Sequence, residues 1–386
     1  MKGNVYTSQR CPICRGKLLH DENRGGCFCK DHPEIRATGN FTVHFGRKTA
    51  KRFQEYSFAI RFLTGCRFKE DEGTFDHRDY KASHPLGFKT QAEKWLSVKE
   101  QTTKHNTYRN IKRDMNNAIK HWGQANVKTL GYGEIEDYLF GIGGIGDKTR
   151  SNIKSVLHDF WGWLSKREGI QIPDFPETKF ELGWRNIIDL ETQSKILNEV
   201  WRISESTNQK IYMGIRWLAT YVSIRPNEMR NLRERDINVN GFFVIPHPKE
   251  KKPKLVAMLP EDIELYESIQ PKSLPDVYFF RHIKGNGACR PGDQFGKDYL
   301  WKWWTKACSN LGIKGVDLYG GTRHSTTTAL SEHFTRDELR NSGTFHASNK
   351  AFERYCQSQK QDSLRIYQKV KEVRGEVVKM RKKSNG

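Results

Sequence analysis

The sequence predicts a multidomain chain that is mostly α-helical and carries small β-sheets. Its 386 residues are enough for two or three domains that each have a core. Apolar residues recur at helical spacing over 108–122 and 153–164, whereas over 41–45 they alternate with polar residues as in a half-buried strand. The two prolines of 171–180 mark a boundary between a helical region and a mixed α/β region.

We expect four parts along the chain. A Cys-rich segment covers 1–38, and a small strand–strand–helix module with a polar linker covers 39–82. A helical domain covers 83–182, and a mixed α/β domain with a helical tail covers 183–386. The finer expectations are a helix over 55–63 that Gly65 ends, a linker near 66–87, a hairpin over 241–259 and a strand over 276–280.

The charge of the chain predicts its partner. Lys and Arg number 66 against 45 acidic residues, which gives a formal net charge of +21. A folded protein this basic usually faces a polyanion, and nucleic acid is the first candidate; a charge kept for solubility is the alternative. No apolar run is long enough to span a bilayer and the N-terminus lacks the apolar core of a signal peptide, so we expect a cytoplasmic protein without a membrane partner.

Half of the eight cysteines fall within the first thirty residues. Cys11 and Cys14 form a CxxC pair, from which two thiolates can bind one tetrahedral zinc ion. Cys29 and His32 repeat the two-residue gap, so we expect these four residues to hold a structural zinc, with Cys27 as an alternative for either later ligand. The segment is too small for a hydrophobic core, so the ion would supply its folding energy. A group of reduced thiols at a flexible end is the alternative.

Two basic features of the last domain are candidates for chemistry. Arg225 precedes Pro226, which suits the first turn of a helix, so its guanidinium would lie beside the positive end of that helix. The hairpin over 241–259 has a Lys-rich tip that contains Lys249 and Lys251. Taken alone, each feature is typical of a solvated surface.

Three further candidates follow in the same domain. Arg323 and His324 come directly after a Gly-Gly-Thr sequence, and glycines permit a close approach of backbone to ligand. His346 and Tyr355 belong to the next segment, with the tyrosine nine residues after the histidine. A lone tyrosine is usually a core or surface residue, so the prediction depends on the whole set and its order.

Phosphodiester transesterification is the chemistry that needs this set. A tyrosine hydroxyl attacks phosphorus and stores the bond energy as a phosphotyrosine. Two arginine forks and a histidine stabilise the charge that builds on the non-bridging oxygens, and a lysine protonates the departing 5′-oxygen. Fixed cations take the place of a metal ion, so we expect no catalytic cofactor.

The order Arg, Lys hairpin, Arg-His, His, Tyr resembles that of the tyrosine recombinases, also called phage integrases. Arg225, Glu228 and Leu232 match the family motif R-x-x-E-x-x-x-L. The helical domain is similar to the core-binding domain of that family, and the module over 39–82 is similar to the arm-binding module of some phage and genomic-island integrases. The resemblance covers nearly the whole chain and is most specific from about 210 to 357.

The resemblance implies a role for each candidate. Site-specific recombination would integrate or excise a mobile element or prophage through a 3′-phosphotyrosyl intermediate. The implied roles are Tyr355 as nucleophile, Arg225 and Arg323 as phosphate clamp, His346 as donor to the phosphate, Lys249 as general acid with Lys251 as the alternative, and Glu228 and His324 in support.

One position departs from the family pattern. The family usually has a histidine three residues before the second arginine, where this chain has Gly320 beside Tyr319. Tyr319 or water would then have to assist Tyr355. There are two alternative functions. One is a type IB topoisomerase, which shares the chemistry. The other is a non-catalytic zinc-containing DNA-binding protein, an alternative that the missing histidine motivates.

The resemblance also implies partners. These are double-stranded DNA with core and arm sites, a homo-tetramer assembled on it, and accessory DNA-bending proteins, in a bacterial or phage-encoded, nucleoid-associated system. Candidate phosphate contacts, which would position the protein, are Lys112, Arg113 and Lys120 in the helical domain. The basic, β-rich module, which contains the candidate DNA contacts Arg47 and Lys48, could lay its small sheet in a major groove and read bases.

Overall fold

The computed structural model describes residues 3–181, 183–238, 240–246, 248, 252–269, 274–285, 289–345 and 352–353. The chain divides into two compact units, Met1–Leu182 and Gly183–Gly386. Helices predominate and the sheets are small and antiparallel, which confirms the predicted fold class. Within the described ranges, no helix is both long and apolar enough to cross a membrane.

The first unit begins with short strands and continues as helices. Its β1, β4 and β5 form one antiparallel sheet in the order β1–β4–β5, and β2 pairs with β3 as a separate hairpin. The elements are β1 Asn4–Thr7, β2 Leu18–Asp21, β3 Gly26–Cys29, β4 Phe41–Phe45, β5 Thr49–Phe53, α1 Tyr56–Asp71, α2 Phe88–Thr102, α3 His105–Trp122, α4 Tyr132–Gly141 and α5 Asp147–Glu168.

The three-stranded sheet packs one face on α1. Phe41, Val43 and Phe45 are buried, as their alternation predicts. The prediction that Gly65 ends the helix is wrong, because α1 continues to Asp71. An exposed glycine costs a helix only about 1 kcal/mol, and the next turn buries Cys66 against the same core.

The segment expected to be a linker is anchored to the helices of the same unit. Its first residues belong to α1, and Asp76 accepts hydrogen bonds from Arg78 Nη2 at 2.8 Å and from Lys128 Nζ at 2.6 Å. Arg78 Nη1 also pairs with Glu168 Oε2 of α5 at 2.8 Å. Burial opposes ionisation of Asp76, but these two cations hold its pKa well below the usual value. Ion pairs therefore hold the segment on the helical region.

The helical part of the first unit has an aromatic core. Phe88, Trp95, Phe160 and Trp161 are fully buried and contact one another edge to face. Helix α3 ends at Gly123, whose φ of 53° favours glycine, as predicted.

The second unit combines a small antiparallel sheet with helices. Its strands follow one another in the order β6–β7–β8. The elements are α6 Leu190–Ser204, α7 Gln209–Thr220, α8 Pro226–Arg230, β6 Ile237–Asn238, β7 Phe242–Ile245, β8 Lys254–Ala257, α9 Pro260–Ser268, α10 Tyr299–Asn310, a π-helical turn Gly320–His324, α11 Ser325–Leu330, α12 Arg336–Glu338 and a second π-helical turn Leu339–Thr344.

The core of the second unit is built around Trp217 of α7, which packs on Phe243, Phe279 and Phe280. The strand expected over 276–280 is absent from this described segment. Only an isolated bridge between Tyr278 and Arg233 forms there, because the facing residues belong to a turn and not to a strand. The apolar residues of 276–280 are therefore explained by burial in the core and not by pairing in a sheet.

Candidate active site

Arg225 lies where the sequence predicts, at the start of a helix. It is the N-cap of α8, and Pro226 occupies the first turn. Glu228 accepts from the backbone N–H of Arg225 at 3.1 Å through Oε2 and from Arg225 Nη1 at 3.2 Å through Oε1. Both carboxylate oxygens of Glu228 thus contact Arg225 directly, and its supporting role stays a prediction.

Lys254 is a member of this cluster that the sequence analysis missed. Its Nζ lies 3.2 Å from Glu228 Oε2 and 3.1 Å from the backbone oxygen of Ser223. The available signal in the sequence is that Lys254 shares the period of two with the apolar Val256. In the structure both are buried on one face of β8, whereas the neighbouring Leu255 is 60% exposed. A lysine on the inward face of a strand needs a buried acceptor, and Glu228 is that acceptor.

Arg323 and His324 lie in the π-helical turn, and both are buried. Arg323 Nη2 donates to the backbone oxygen of Thr344 at 3.2 Å, just before the segment that contains His346. The ring of Tyr319 contacts His324 edge to face at 5.3 Å between centroids and lies 6.0 Å from Arg323 Cζ. The structure therefore gathers Tyr319, Arg323 and His324 at one turn.

The glycines before Arg323 are required by packing. A Cβ at Gly320 would lie 2.5 Å from the backbone oxygen of Asn186, and one at Gly321 would collide with the indole of Trp304. Moving the backbone or a buried ring to make room would cost considerable free energy. The histidine that the tyrosine recombinases usually have at the position of Gly320 therefore does not fit this backbone.

Both arginine-bearing turns are anchored at the C-terminal end of α7. Helix α7 contacts α8 and the π-helical turn. Thr326 Oγ1, two residues after that turn, donates to the backbone oxygen of Ala219 at 2.8 Å. The hydroxyl of Tyr221, the residue after α7, donates a hydrogen bond to Asp262 Oδ2 at 2.7 Å. The short connection to Arg225 follows Tyr221. One helix end thus supports two guanidinium groups that are far apart in sequence.

Three predicted catalytic residues and the alternative general acid Lys251 fall on segments outside the described ranges. Lys249, Lys251, His346 and Tyr355 lie outside the described residues. The strands β7 and β8 that flank the lysines are described, and so are Arg323 and the backbone of Thr344 on the approach to His346. The roles of these four residues stay predictions.

The expected zinc ligands come together in the first unit. The ligand atoms of Cys11, Cys14, Cys29 and His32 all lie within 4.8 Å of one another. Cys14 Sγ is 3.5 Å from Cys29 Sγ, and Cys11 Sγ is 3.6 Å from His32 Nδ1. The first pair lies on a tight turn before β2, and the second pair lies at the end of β3. Three sulfurs and one imidazole nitrogen at this separation fit a tetrahedral zinc ion.

Cys27 does not join this cluster, so the alternative ligand set is not supported. It lies on β3 two residues before Cys29, but its side chain is fully buried in the core between the sheet and α1. Burial raises the pKa of its thiol to about 11.

The candidate DNA contacts are all on the surface. Lys112, Arg113 and Lys120 are exposed on α3, although Arg113 also pairs with Asp114 at 2.8 Å. Arg47 and Lys48 are exposed in the turn between β4 and β5.

The free face of the β1–β4–β5 sheet adds residues that the sequence analysis did not name. Tyr6, Thr42 and Arg52 are opposite one another across the three strands, and His44 contacts Tyr6 edge to face at 5.2 Å. Tyr6, His44 and Arg52 are exposed, and Thr42 is half-buried. This face, defined by Tyr6, Thr42, His44 and Arg52, is called the sheet face below.

Comparison with solved structures identifies the fold. A Tn1549 transposon integrase in complex with a circular intermediate DNA superposes with a TM-score of 0.56 at 13% identity, over 74% of this chain and 99% of that chain. A lambda integrase dimer bound to a core site and a lambda integrase tetramer bound to a Holliday junction each superpose with a TM-score of 0.54 at 13% identity, over 84% of this chain and 93% and 94% of theirs. Neither the protein-family models nor the curated protein sequences contain a significant match. The chain therefore has the fold of the tyrosine recombinases.

Proposed function

We propose that this protein is a site-specific tyrosine recombinase that cuts and rejoins DNA through a 3′-phosphotyrosyl intermediate. The observation that carries the proposal is the shared anchoring of the Arg225 and Arg323 turns on the end of α7, in a chain with the recombinase fold. Two guanidinium groups on one rigid support suit a phosphodiester that gains negative charge during reaction.

The proposed reaction is a transesterification at phosphorus. The Tyr355 oxygen bonds to the phosphorus while the bond from phosphorus to the 5′-oxygen breaks. The phenol proton leaves to water, and Lys249 protonates the departing 5′-oxygen. Arg225, Arg323 and His346 stabilise the charge on the non-bridging oxygens. Attack by the 5′-hydroxyl of another strand reverses these steps and joins the new pair of strands.

We also propose the assembly and the roles of the first unit. Solved relatives by fold include a tetramer on a Holliday junction, which supports a homo-tetramer on double-stranded DNA as the working form. Zinc held by Cys11, Cys14, Cys29 and His32 would stabilise the β2–β3 hairpin. The helical region would contact core-site phosphates, and a DNA substrate would place the protein with the bacterial nucleoid.

An exchange assay tests the function. Wild-type protein incubated with two plasmids that carry the ends of its element should produce recombinant junctions. Proteinase treatment should release a peptide linked to DNA through phosphotyrosine. Relaxation of supercoils without exchange between defined sites would favour a topoisomerase, and binding without any covalent product would favour a non-catalytic DNA-binding protein.

The sheet face is the proposed reader of arm sites, because a small sheet can enter a major groove and contact base edges. Arg52→Ala should lower affinity for one class of duplexes by about 10- to 100-fold, because a good bidentate base contact usually contributes a factor of that size. Duplexes enriched from a random pool by the wild-type protein, then titrated with each variant, provide the measurement.

The neighbouring Lys51 offers a charge-matched control. Its Nζ lies 5.1 Å from the ring of Phe62 on the opposite side of the sheet from the sheet face. Lys51→Ala removes the same charge but should leave sequence preference unchanged. Equal losses of affinity in Arg52→Ala and Lys51→Ala, for all enriched duplexes alike, would contradict base reading by the sheet face.

A further inference from the structure

Three charged side chains form a chain of contacts from β8 to the start of α8. Lys254 Nζ lies 3.2 Å from Glu228 Oε2, and Arg225 Nη1 lies 3.2 Å from Glu228 Oε1. The side chains of Lys254 and Glu228 are only 4% and 7% exposed, and that of Arg225 is 16% exposed. Solvent therefore screens these charges little, and each of them acts on the other two.

The charge balance of this cluster depends on Lys254. A carboxylate paired with Arg225 alone would make a neutral pair and cancel most of the attraction of the guanidinium for a phosphate. With Lys254 present, the three side chains carry a net charge of +1. Glu228 can then orient Arg225 without neutralising it as an anion-binding group.

Lys254 also holds the backbone that leads to Arg225. Its ammonium donates to the backbone oxygen of Ser223 at 3.1 Å, two residues before Arg225. The same ammonium thus connects the carboxylate that orients the guanidinium with the turn that carries it. A charged hydrogen bond of this kind restricts the position of the turn more firmly than a neutral one.

We propose that Lys254 is a positioning residue for Arg225: it neutralises Glu228 and fixes the 223–225 turn, so that Arg225 meets the scissile phosphate as an oriented cation. The inference rests on the proposed recombinase function. Lys254 acts through Glu228 and the backbone and does not itself protonate the leaving group, a task proposed for Lys249 in the hairpin tip.

Covalent capture on nicked duplexes tests this role. Lys254→Met keeps the apolar stem and removes the charge. We expect the cleavage rate at saturating DNA to fall on the order of 100-fold. DNA affinity should change by less than about 3-fold, because one buried charge adds little to a long phosphate interface. Adding Glu228→Gln to Lys254→Met removes the carboxylate that would otherwise neutralise Arg225 and should restore the rate at least about 10-fold. Lys195→Met, which removes an exposed lysine that pairs with Glu191 along α6, should cleave like the wild type.

A substrate with sulfur in place of the bridging 5′-oxygen separates the two lysine roles. A thiolate leaves without a proton, so this substrate should rescue Lys249→Met but not Lys254→Met. Rescue of Lys254→Met would make Lys254 the general acid and overturn the proposal. Wild-type cleavage by Lys254→Met, or no gain from Glu228→Gln in a folded double variant, would overturn it as well.

A binding measurement keeps this inference separate from the proposed function. Inorganic phosphate titrated into the full-length protein and followed by ³¹P NMR should bind more weakly to Lys254→Met and regain affinity in the double variant. If wild-type protein forms no covalent complex with DNA, the recombinase proposal fails, and the phosphate titration still decides whether Lys254 maintains Arg225 as an anion site. Equal phosphate affinity in all three proteins would reject that role.

Discussion

Replacing Tyr355 with phenylalanine is expected to abolish covalent attachment of the protein to DNA. The substitution keeps the aromatic ring but removes the oxygen that would attack phosphorus, and attack by water in its place would hydrolyse DNA without joining it to the protein. Loss of a nucleophile lowers rates by on the order of 10⁴-fold or more. Nicked suicide duplexes, which trap the intermediate because the short 5′ fragment diffuses away, would reveal the adduct as a slow band on a denaturing gel.

Binding and a second tyrosine serve as controls for Tyr355. Tyr355→Phe should bind the same duplexes with wild-type affinity, since the nucleophile adds little to a phosphate interface. Tyr132→Phe removes an exposed hydroxyl that bonds Glu136 in the first unit, and it should form the adduct at the wild-type rate. An adduct that persists in Tyr355→Phe would assign the chemistry to another residue.

Removal of zinc is expected to unfold the N-terminal part of the first unit. The region from Cys11 to Ala37 relies on a short hairpin and a few buried side chains, so the ion would supply on the order of 10 kcal/mol of its folding free energy. Chelation at neutral pH should release one zinc per chain. Hydrogen exchange measured by mass spectrometry should then become fast in the β2–β3 hairpin and remain slow in α5.

Two cysteine variants test the ligand set. Cys14→Ala should lose the ion, because Cys14 Sγ is one of the four ligand atoms that lie together. Cys27→Ala should keep one zinc per chain and lose only core packing, because Cys27 lies outside the cluster. Stoichiometric zinc in purified Cys14→Ala, or its absence from Cys27→Ala, would contradict the assignment.

Local residue patterns predicted much of this protein. Two residues separate the ligands within each pair, Cys11 with Cys14 and Cys29 with His32, so each pair can bind one ion through local chain geometry. The β2–β3 hairpin connects the two pairs. The placement of Arg225 at a helix start follows in the same way from Pro226. Helix α3 and the strand β4 follow from periodic apolar residues that each element can bury on one face.

Elements without local periodicity were beyond the sequence analysis. Strands β1, β2 and β3 are four residues each, too short to show alternation, and the pairing of β1 with β4 joins residues far apart in the chain. The apolar run over 276–280 looked like a strand because burial and sheet pairing leave the same short pattern.

The residue pattern alone gives the chemistry that the chain can offer: the identity and order of the arginine, lysine, histidine and tyrosine candidates, the zinc ligand types and the basic charge. How these groups are supported is set by the tertiary structure. It buries Lys254 against Glu228, anchors the Arg225 and Arg323 turns on one end of α7, and closes the space at Gly320 with the backbone of Asn186. Such contacts depend on which distant segments pack together, and packing is a property of the whole fold that no local pattern encodes.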